Sequence, residues 1–104
     1  MPVVVVAAFT AKPESVDAVR AACVSAVEAV HEEPGCELYS LHQTGDTFVF
    51  IEQWVDGQAL QAHGAAPPLS ALLAAIGGEL AGAPDVKMLN PIPAGDPAKG
   101  QLRD

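Results

Sequence analysis

Residues 36–54, CELYSLHQTGDTFVFIEQW, decide the fold of this chain. The first half alternates with a period of two and the second half is rich in β-branched and aromatic residues, so both are typical of strands. Thr44-Gly45-Asp46 between them is a turn signal, and the two strands form a hairpin. Two registers stay open. A two-residue loop, which we favour, puts Tyr39 opposite Glu52, whereas a loop centred on Gly45 puts Leu38 there.

The chain before this hairpin predicts a strand and a long helix. Val3–Phe9 is an unbroken apolar run, as in strands buried on both faces. A helix then opens at Lys12-Pro13, because proline suits a first helical turn, and it ends near Pro34-Gly35. Its apolar residues recur at steps of three and four and form one stripe: Val16, Val19, Cys23, Ala26, Val27 and Val30.

The chain after the hairpin predicts two helical segments and a last strand. Gln58–His63 is a short helical segment, and the interruption Gly64–Pro68 separates it from a second helix over Leu69–Leu80. Val86–Leu89 predicts the last strand. The remainder, Asn90–Asp104, is rich in proline and glycine and predicts a tail or an arm on a neighbour.

The element order is therefore β-α-β-β-α-β, a split βαβ arrangement of the α+β, ferredoxin-like class with an antiparallel sheet. We assign residues 1–92 to this domain and residues 93–104 to the C-terminal tail. Both helices lie on one face of the sheet, and the other face is apolar in the first and third strands. Such a patch is larger than soluble monomers usually expose, so we expect a homodimer with the sheets packed face to face.

Composition excludes several kinds of partner and site. The 104 residues carry 5 basic and 13 acidic side chains, a net charge of −8 that repels nucleic acids and anionic membranes. No run reaches the about 20 apolar residues of a spanning helix, and we expect a cytoplasmic protein. Cys23 and Cys36 indicate neither a disulfide framework nor a zinc site; both are expected in the core, with a reactive thiol at Cys36 as the alternative.

Several short motifs resemble one family. Ile51-Glu52-Gln53-Trp54 followed by Ala59-Leu60-Gln61-Ala62-His63, Glu33-Pro34-Gly35-Cys36 with Tyr39 shortly after, and Lys12-Pro13 resemble the antibiotic biosynthesis monooxygenase domain, particularly its bacterial quinol monooxygenase-like members. The resemblance implies a dimeric α+β barrel with a pocket between helices and sheet in each subunit. It also implies, for some members, oxygenation of phenolic rings without a cofactor.

Glu52 and Trp54 share one face of a strand and can line one wall of a pocket. Phe48 and Phe50 continue that face, and Tyr39 is a further expected ring contact. An apolar wall that ends in a carboxylate suits a flat phenolic substrate, and desolvation raises a carboxyl pKa towards that of a general base. The alternatives are a structural carboxylate at Glu52 and a core role for Trp54.

His63 ends the short helical segment, where the family often has a histidine and from where the side chain can face the pocket mouth. A histidine titrates near neutrality, so His63 and Glu52 are the two expected catalytic residues. The alternative for His63 is a helix cap or a packing role. His42, near the hairpin turn, is a lesser candidate, and His31 is expected in solvent at the end of the first helix.

The sequence thus predicts a cofactor-independent monooxygenase that oxidises a small quinol or polyphenol with O2. It carries no clustered metal ligands, phosphate-binding loop or nucleophile elbow, and we expect no cofactor and no metal. The haem-degrading pattern, with Asn in the first strand and His in the second helix, is missing. The alternative function is a non-enzymatic dimer of the same fold that binds a small ligand or acts under stress; an isomerase of a small polar metabolite is disfavoured by the apolar wall.

Overall fold

Four strands and three α-helices make up the fold in the computed structural model, which describes residues Met1 to Asp104. They are β1 (Val3–Thr10), α1 (Val16–Val30), β2 (Cys36–Thr44), β3 (Thr47–Trp54), α2 (Gly57–Gly64), α3 (Pro67–Ile76) and β4 (Asp85–Leu89). The strands form one antiparallel sheet in the order β2-β3-β1-β4. The predicted α+β, ferredoxin-like fold is therefore confirmed.

The hairpin of β2 and β3 has the register that we favoured. Thr44 pairs with Thr47 across a two-residue loop, and Tyr39 pairs with Glu52. Gly45 in that loop has a φ of 56°, a left-handed conformation that glycine adopts without steric cost. A bulge between Cys36 and Leu38 shifts the pairing by one residue before the strand begins its regular alternation.

The third helix differs from the sequence prediction at both ends. It begins at Pro67 rather than Leu69, because a proline in the first turn lacks only an N–H that would have no helical partner there. It ends at Ile76, and Gly77–Glu79 continues as a short 3-10 helix. Glycine is a poor helix former, so two adjacent glycines end the α-helical geometry early.

The core lies between the helices and one face of the sheet. Alternate residues of β1 and β3 face this side, and α1 and α3 cover them with an apolar stripe. The fully buried part of the core is made of large side chains from the strands and smaller ones from α1: Phe48, Phe50, Trp54, Val19, Cys23, Val30 and Ile76. The alternation of β3 therefore places Glu52, between Phe50 and Trp54, on the helix side of the sheet.

The opposite face of the sheet carries no helix, and the C-terminal segment crosses one end of it. The Gln53 side chain donates to the backbone oxygen of Arg103 at 3.1 Å and to Glu37 Oε1 at 3.0 Å. Leu102 packs near Val4 on the same face. Residues 90–104 contain no helix or strand. None of the helices is long and apolar enough to cross a membrane.

Candidate active site

An apolar cavity of about 260 Å³ lies between the sheet, α2 and the start of α3. Eight of its eleven lining residues are aliphatic or aromatic, and its polar side-chain groups are those of Glu52, His63 and the Tyr39 hydroxyl. The lining is Val5, Ala7, Phe9, Tyr39, Glu52, Leu60, His63, Gly64, Leu69, Val86 and Met88. A few polar groups in an apolar concavity are the usual composition of a small-molecule site.

Each carboxylate at this site has its own donor. The Trp54 indole N–H donates to Glu52 Oε1 at 2.9 Å, within the same strand and on the same face. The imidazole of His63 lies against Glu33, whose two carboxylate oxygens are 3.0 and 3.2 Å from Nδ1. The indole of Trp54 also stacks on the His63 ring, with centroids 4.5 Å apart. One aromatic stack thus separates the buried Glu52 from the partly buried Glu33.

Three polar atoms of the lining remain without a protein partner. They are His63 Nε2, Glu52 Oε2 and the Tyr39 hydroxyl, since the hydrogen bonds of these side chains use only His63 Nδ1 and Glu52 Oε1. No fully buried side-chain nitrogen or oxygen in the protein lacks a partner, so each of these three atoms keeps accessible surface. The three side chains line the cavity, whose accessible surface is otherwise apolar.

Burial raises the pKa values of two of these groups. It raises the pKa of the Glu52 carboxyl above its ordinary value, and Glu33 adds to the rise, while the Trp54 hydrogen bond and His63 act in the opposite direction. Burial also raises the pKa of the Tyr39 phenol well above its usual range, helped by the negative charge of Glu52. Tyr39 therefore stays a neutral hydroxyl that can donate a hydrogen bond.

The predicted site residues divide into two groups. Tyr39, Glu52 and His63 line the cavity. Trp54, Phe50 and Phe48 do not line it: all three have no exposed surface and lie in the core beside it. The Tyr39 ring packs on Phe50 at 4.9 Å and the edge of Trp54 at 6.4 Å, so these rings support the cavity wall.

The other two histidines lie away from the cavity. His42 is exposed on β2 and its Nε2 lies 3.0 Å from the Ser40 hydroxyl. His31 has an exposed residue surface as predicted, yet its Nε2 lies 2.9 Å from the backbone oxygen of Tyr39. It therefore ties the end of α1 to β2.

Sequence reasoning missed Glu33 as a polar partner of His63. Glu33 stands in the motif Glu33-Pro34-Gly35-Cys36, but it is 30 residues from His63, and no local periodicity links a turn to a helix that far along the chain. It also missed Val86 and Met88, whose side chains close one wall of the cavity from β4.

The two cysteines and the second concavity offer fewer groups for catalysis than the apolar cavity does. The thiols of Cys23 and Cys36 are free, and burial raises the pKa of Cys23 to about 11 and also that of Cys36, so both are protonated at neutral pH. A second concavity between His31, β2 and Arg103 has a more polar lining. No three side chains of the metal-binding types are grouped to hold an ion.

Comparison with known proteins identifies the family. The protein-family model described as antibiotic biosynthesis monooxygenase matches residues 2–75 of the chain. The chain belongs to the antibiotic biosynthesis monooxygenase family. No curated protein sequence matches the chain.

Three solved structures give the extent of the likeness. Rv0793 from Mycobacterium tuberculosis has a TM-score of 0.85 and 28% identity, over 92% of this chain and 100% of its own. A structure described as an antibiotic biosynthesis monooxygenase has a TM-score of 0.82 and 31% identity, over 88% and 99% of the two chains. PA3566 from Pseudomonas aeruginosa has a TM-score of 0.78 and 27% identity, over 85% and 91%. The likeness to these structures therefore covers more of the chain than the matched residues 2–75.

Proposed function

We propose that this chain is a cofactor-independent monooxygenase that oxidises a small quinol or polyphenol with O2. The observation that carries the proposal is the apolar cavity in which His63 Nε2, Glu52 Oε2 and the Tyr39 hydroxyl have no protein partner. The cavity volume is about 260 Å³. Pockets for drug-sized ligands usually have about 300–1,000 Å³, so the smaller cavity favours a compact ring system.

The reaction places few demands on the protein. O2 is a triplet and reacts slowly with closed-shell molecules, but an electron-rich phenolate can donate one electron to it and then recombine to a ring hydroperoxide. Loss of water from the hydroperoxide leaves a hydroxylated quinone. A hydroquinone and O2 thus give a hydroxyquinone and water, and the ring supplies all four electrons. The protein must bind the ring, remove a proton and exclude bulk water.

We assign the proton acceptor to His63, with Glu52 as the rival. Nδ1 of His63 is occupied by Glu33, which leaves Nε2 to accept the proton of a phenol. The raised pKa of Glu52 makes its carboxylate a better base than an exposed one, but also lowers the fraction that is ionised at a given pH. Tyr39 acts as a ring contact and hydrogen-bond donor, while Trp54, Phe50 and Phe48 support the wall.

We also propose a homodimer and a cytoplasmic location. All residues of β4 are exposed, including Val86, Met88 and Leu89, and an apolar edge strand of this kind is usually covered. A second copy of the chain is the expected partner, alongside the aromatic substrate and O2. Two free cysteines fit a reducing compartment.

Oxygen uptake tests the proposal. We expect the metal-free protein to consume O2 with a set of hydroquinones faster than they autoxidise. When the reaction is run under ¹⁸O2, mass spectrometry should find one ¹⁸O atom in the product quinone. His63→Ala should lose roughly 10²- to 10⁴-fold in rate. His42→Ala is the matched control, because His42 is exposed and away from the cavity.

Glu52→Gln separates the two assignments, since it removes the charge and keeps the shape. If the glutamine variant loses activity and His63→Ala keeps it, Glu52 is the base. If the wild type shows no uptake above autoxidation with any quinol, the monooxygenase proposal is wrong. Quenching of the single tryptophan, Trp54, by quinones would then favour the ligand-binding alternative.

A further inference from the structure

The Glu33 and His63 side chains form a well-shielded contact, although Glu33 lies in a turn. Both oxygens of the Glu33 carboxylate lie within 3.2 Å of one ring nitrogen. The two side chains are only 11% and 6% exposed, so water replaces neither partner easily. A buried carboxylate without a donor would be costly, and His63 supplies that donor.

The turn that carries Glu33 is held tightly on α2. Gly35 has a φ of 81°, and a Cβ at this position would lie 2.5 Å from the Cβ of Ala59 and 2.9 Å from Val55 Cγ1. The Gly35 carbonyl accepts from the Val55 N–H at 2.9 Å, and the Cys36 N–H donates to the Glu33 carbonyl at 3.2 Å. Only glycine allows this approach, which brings the Glu33 side chain to the last turn of the helix that bears His63.

The His63 ring is also confined from the other sides. Trp54 stacks on its face at 4.5 Å with planes 29° apart, and the ring of Tyr39 meets it edge-on at 5.6 Å. The ionisable groups around it are Glu33 from the turn, Tyr39 from β2 and Glu52 from β3. Of these, only Glu33 bonds to a ring nitrogen.

A carboxylate accepts hydrogen bonds and does not donate them, so a neutral His63 bonded to ionised Glu33 must carry its proton on Nδ1. We propose that Glu33 is a positioning residue, which holds His63 in the Nδ1–H tautomer so that the Nε2 lone pair is presented to a hydroxyl in the cavity. This inference rests on the proposed function for the role of His63 as the base. When Nε2 accepts the proton, the Glu33 carboxylate also stabilises the imidazolium, as a buried acid does in a catalytic triad.

Nitrogen NMR of the imidazole tests the tautomer without any turnover. Long-range ¹H–¹⁵N spectra of protein labelled on histidine distinguish the Nδ1–H from the Nε2–H form when the ring is neutral. We expect the wild type to hold His63 in the Nδ1–H form. Glu33→Ala and Glu33→Gln should both release it, because alanine offers no acceptor and an amide can donate to Nδ1 as readily as accept from it.

Glu32→Gln is the matched control, since Glu32 is an exposed neighbour that does not contact His63. It should leave the tautomer and the rate unchanged. Glu33→Gln keeps the volume of the side chain, so it remains informative if Glu33→Ala fails to fold. If the wild type is active, we expect Glu33→Gln to lower kcat by ~10²-fold relative to it and to leave KM nearly unchanged, because a misoriented base affects proton removal more than ring binding.

An Nε2–H signal for His63 in the wild type would overturn the inference, as would an unchanged tautomer in both Glu33 variants. These results are independent of the proposed function. A fixed Nδ1–H tautomer that Glu33→Gln releases, in a protein without oxygen uptake, would support the positioning role and reject the monooxygenase. Oxygen uptake by a wild type that holds His63 in the Nε2–H form would reject the positioning role and support the monooxygenase.

Discussion

Glu52 is a carboxyl that the fold makes harder to ionise. Only 3% of the residue is exposed, and its pKa is raised above the ordinary 4.5 chiefly by burial. The folded protein therefore binds this proton more tightly than the unfolded chain does. The stability that Glu52 contributes is fully present below pH 4.5 and is lost as the pH rises through the raised folded-state pKa.

Glu52→Gln cannot ionise, and its amide oxygen can still accept from the Trp54 indole. We therefore expect the stability of the variant relative to the wild type to increase with pH above 4.5, by about 1.4 kcal/mol for each unit by which the pKa is raised. Urea unfolding over a pH series measures this difference, with exposed Glu28→Gln as the control. A difference that does not vary with pH would contradict the burial argument.

Trp54 combines packing with a hydrogen bond, and two substitutions separate them. It has no exposed surface, and Trp54→Ala should lower the free energy of unfolding by about 3–5 kcal/mol. Trp54→Phe keeps an aromatic ring against His63 but leaves Glu52 Oε1 without its donor, at a cost of roughly 1–3 kcal/mol. Thermal and urea unfolding check both values. Equal, small losses would mean that the indole is not packed as described.

At the scale of elements, the turn between α1 and β2 holds α2 close. Gly35→Ala should destabilise the protein more than Gly45→Ala, although both glycines have a positive φ. The added methyl meets Ala59 and Val55 at position 35 but finds open space at position 45. The backbone cost of about 1 kcal/mol is common to both, and only Gly35→Ala adds a steric clash.

Chemical denaturation of the two glycine variants gives the comparison directly. The Gly35 variant should also weaken the contact of Glu33 with His63, because the turn must move away from α2. Equal losses in stability would show that the close approach of Gly35 to α2 contributes nothing.

For the whole molecule, we expect a homodimer that covers about 800 Å² of each subunit, the size of an ordinary stable interface. Light scattering at micromolar concentration should give twice the mass of the chain. Leu89→Glu places a charge on the face of the sheet without helices and should shift the equilibrium towards monomer. Val24→Glu is the matched control, since Val24 on α1 is 48% exposed and Leu89 44%.

A wild type that stays monomeric at every concentration would reject the barrel. The C-terminal segment bears on the same question, because it already covers the end of this face near Val4 and Gln53. We propose that residues 1–92 are the domain and 93–104 an appended arm, so that a chain ending at residue 92 should still dimerise.

The order of elements could be predicted because its signals are local. The alternation and turn of residues 36–54 contain the hairpin and its preferred register, and the stripe within residues 16–30 contains the first helix. Apolar alternation also put Glu52 on the same face as Trp54. The ends of α3 differ from the prediction, because Pro67 and Gly77 act on single hydrogen bonds that apolar periodicity does not report.

Sequence by itself therefore determined the order of strands and helices and the common face of Glu52 and Trp54, since neighbouring residues decide these features. Only the tertiary structure decided that His63 meets Glu33 and that the cavity lies beside Trp54 and Phe50. Alternation gives the direction of a side chain but not the depth at which helices cover it. The contact of a turn with a helix 30 residues away depends on how the elements pack, and a local sequence pattern carries no information about contacts between residues so far apart.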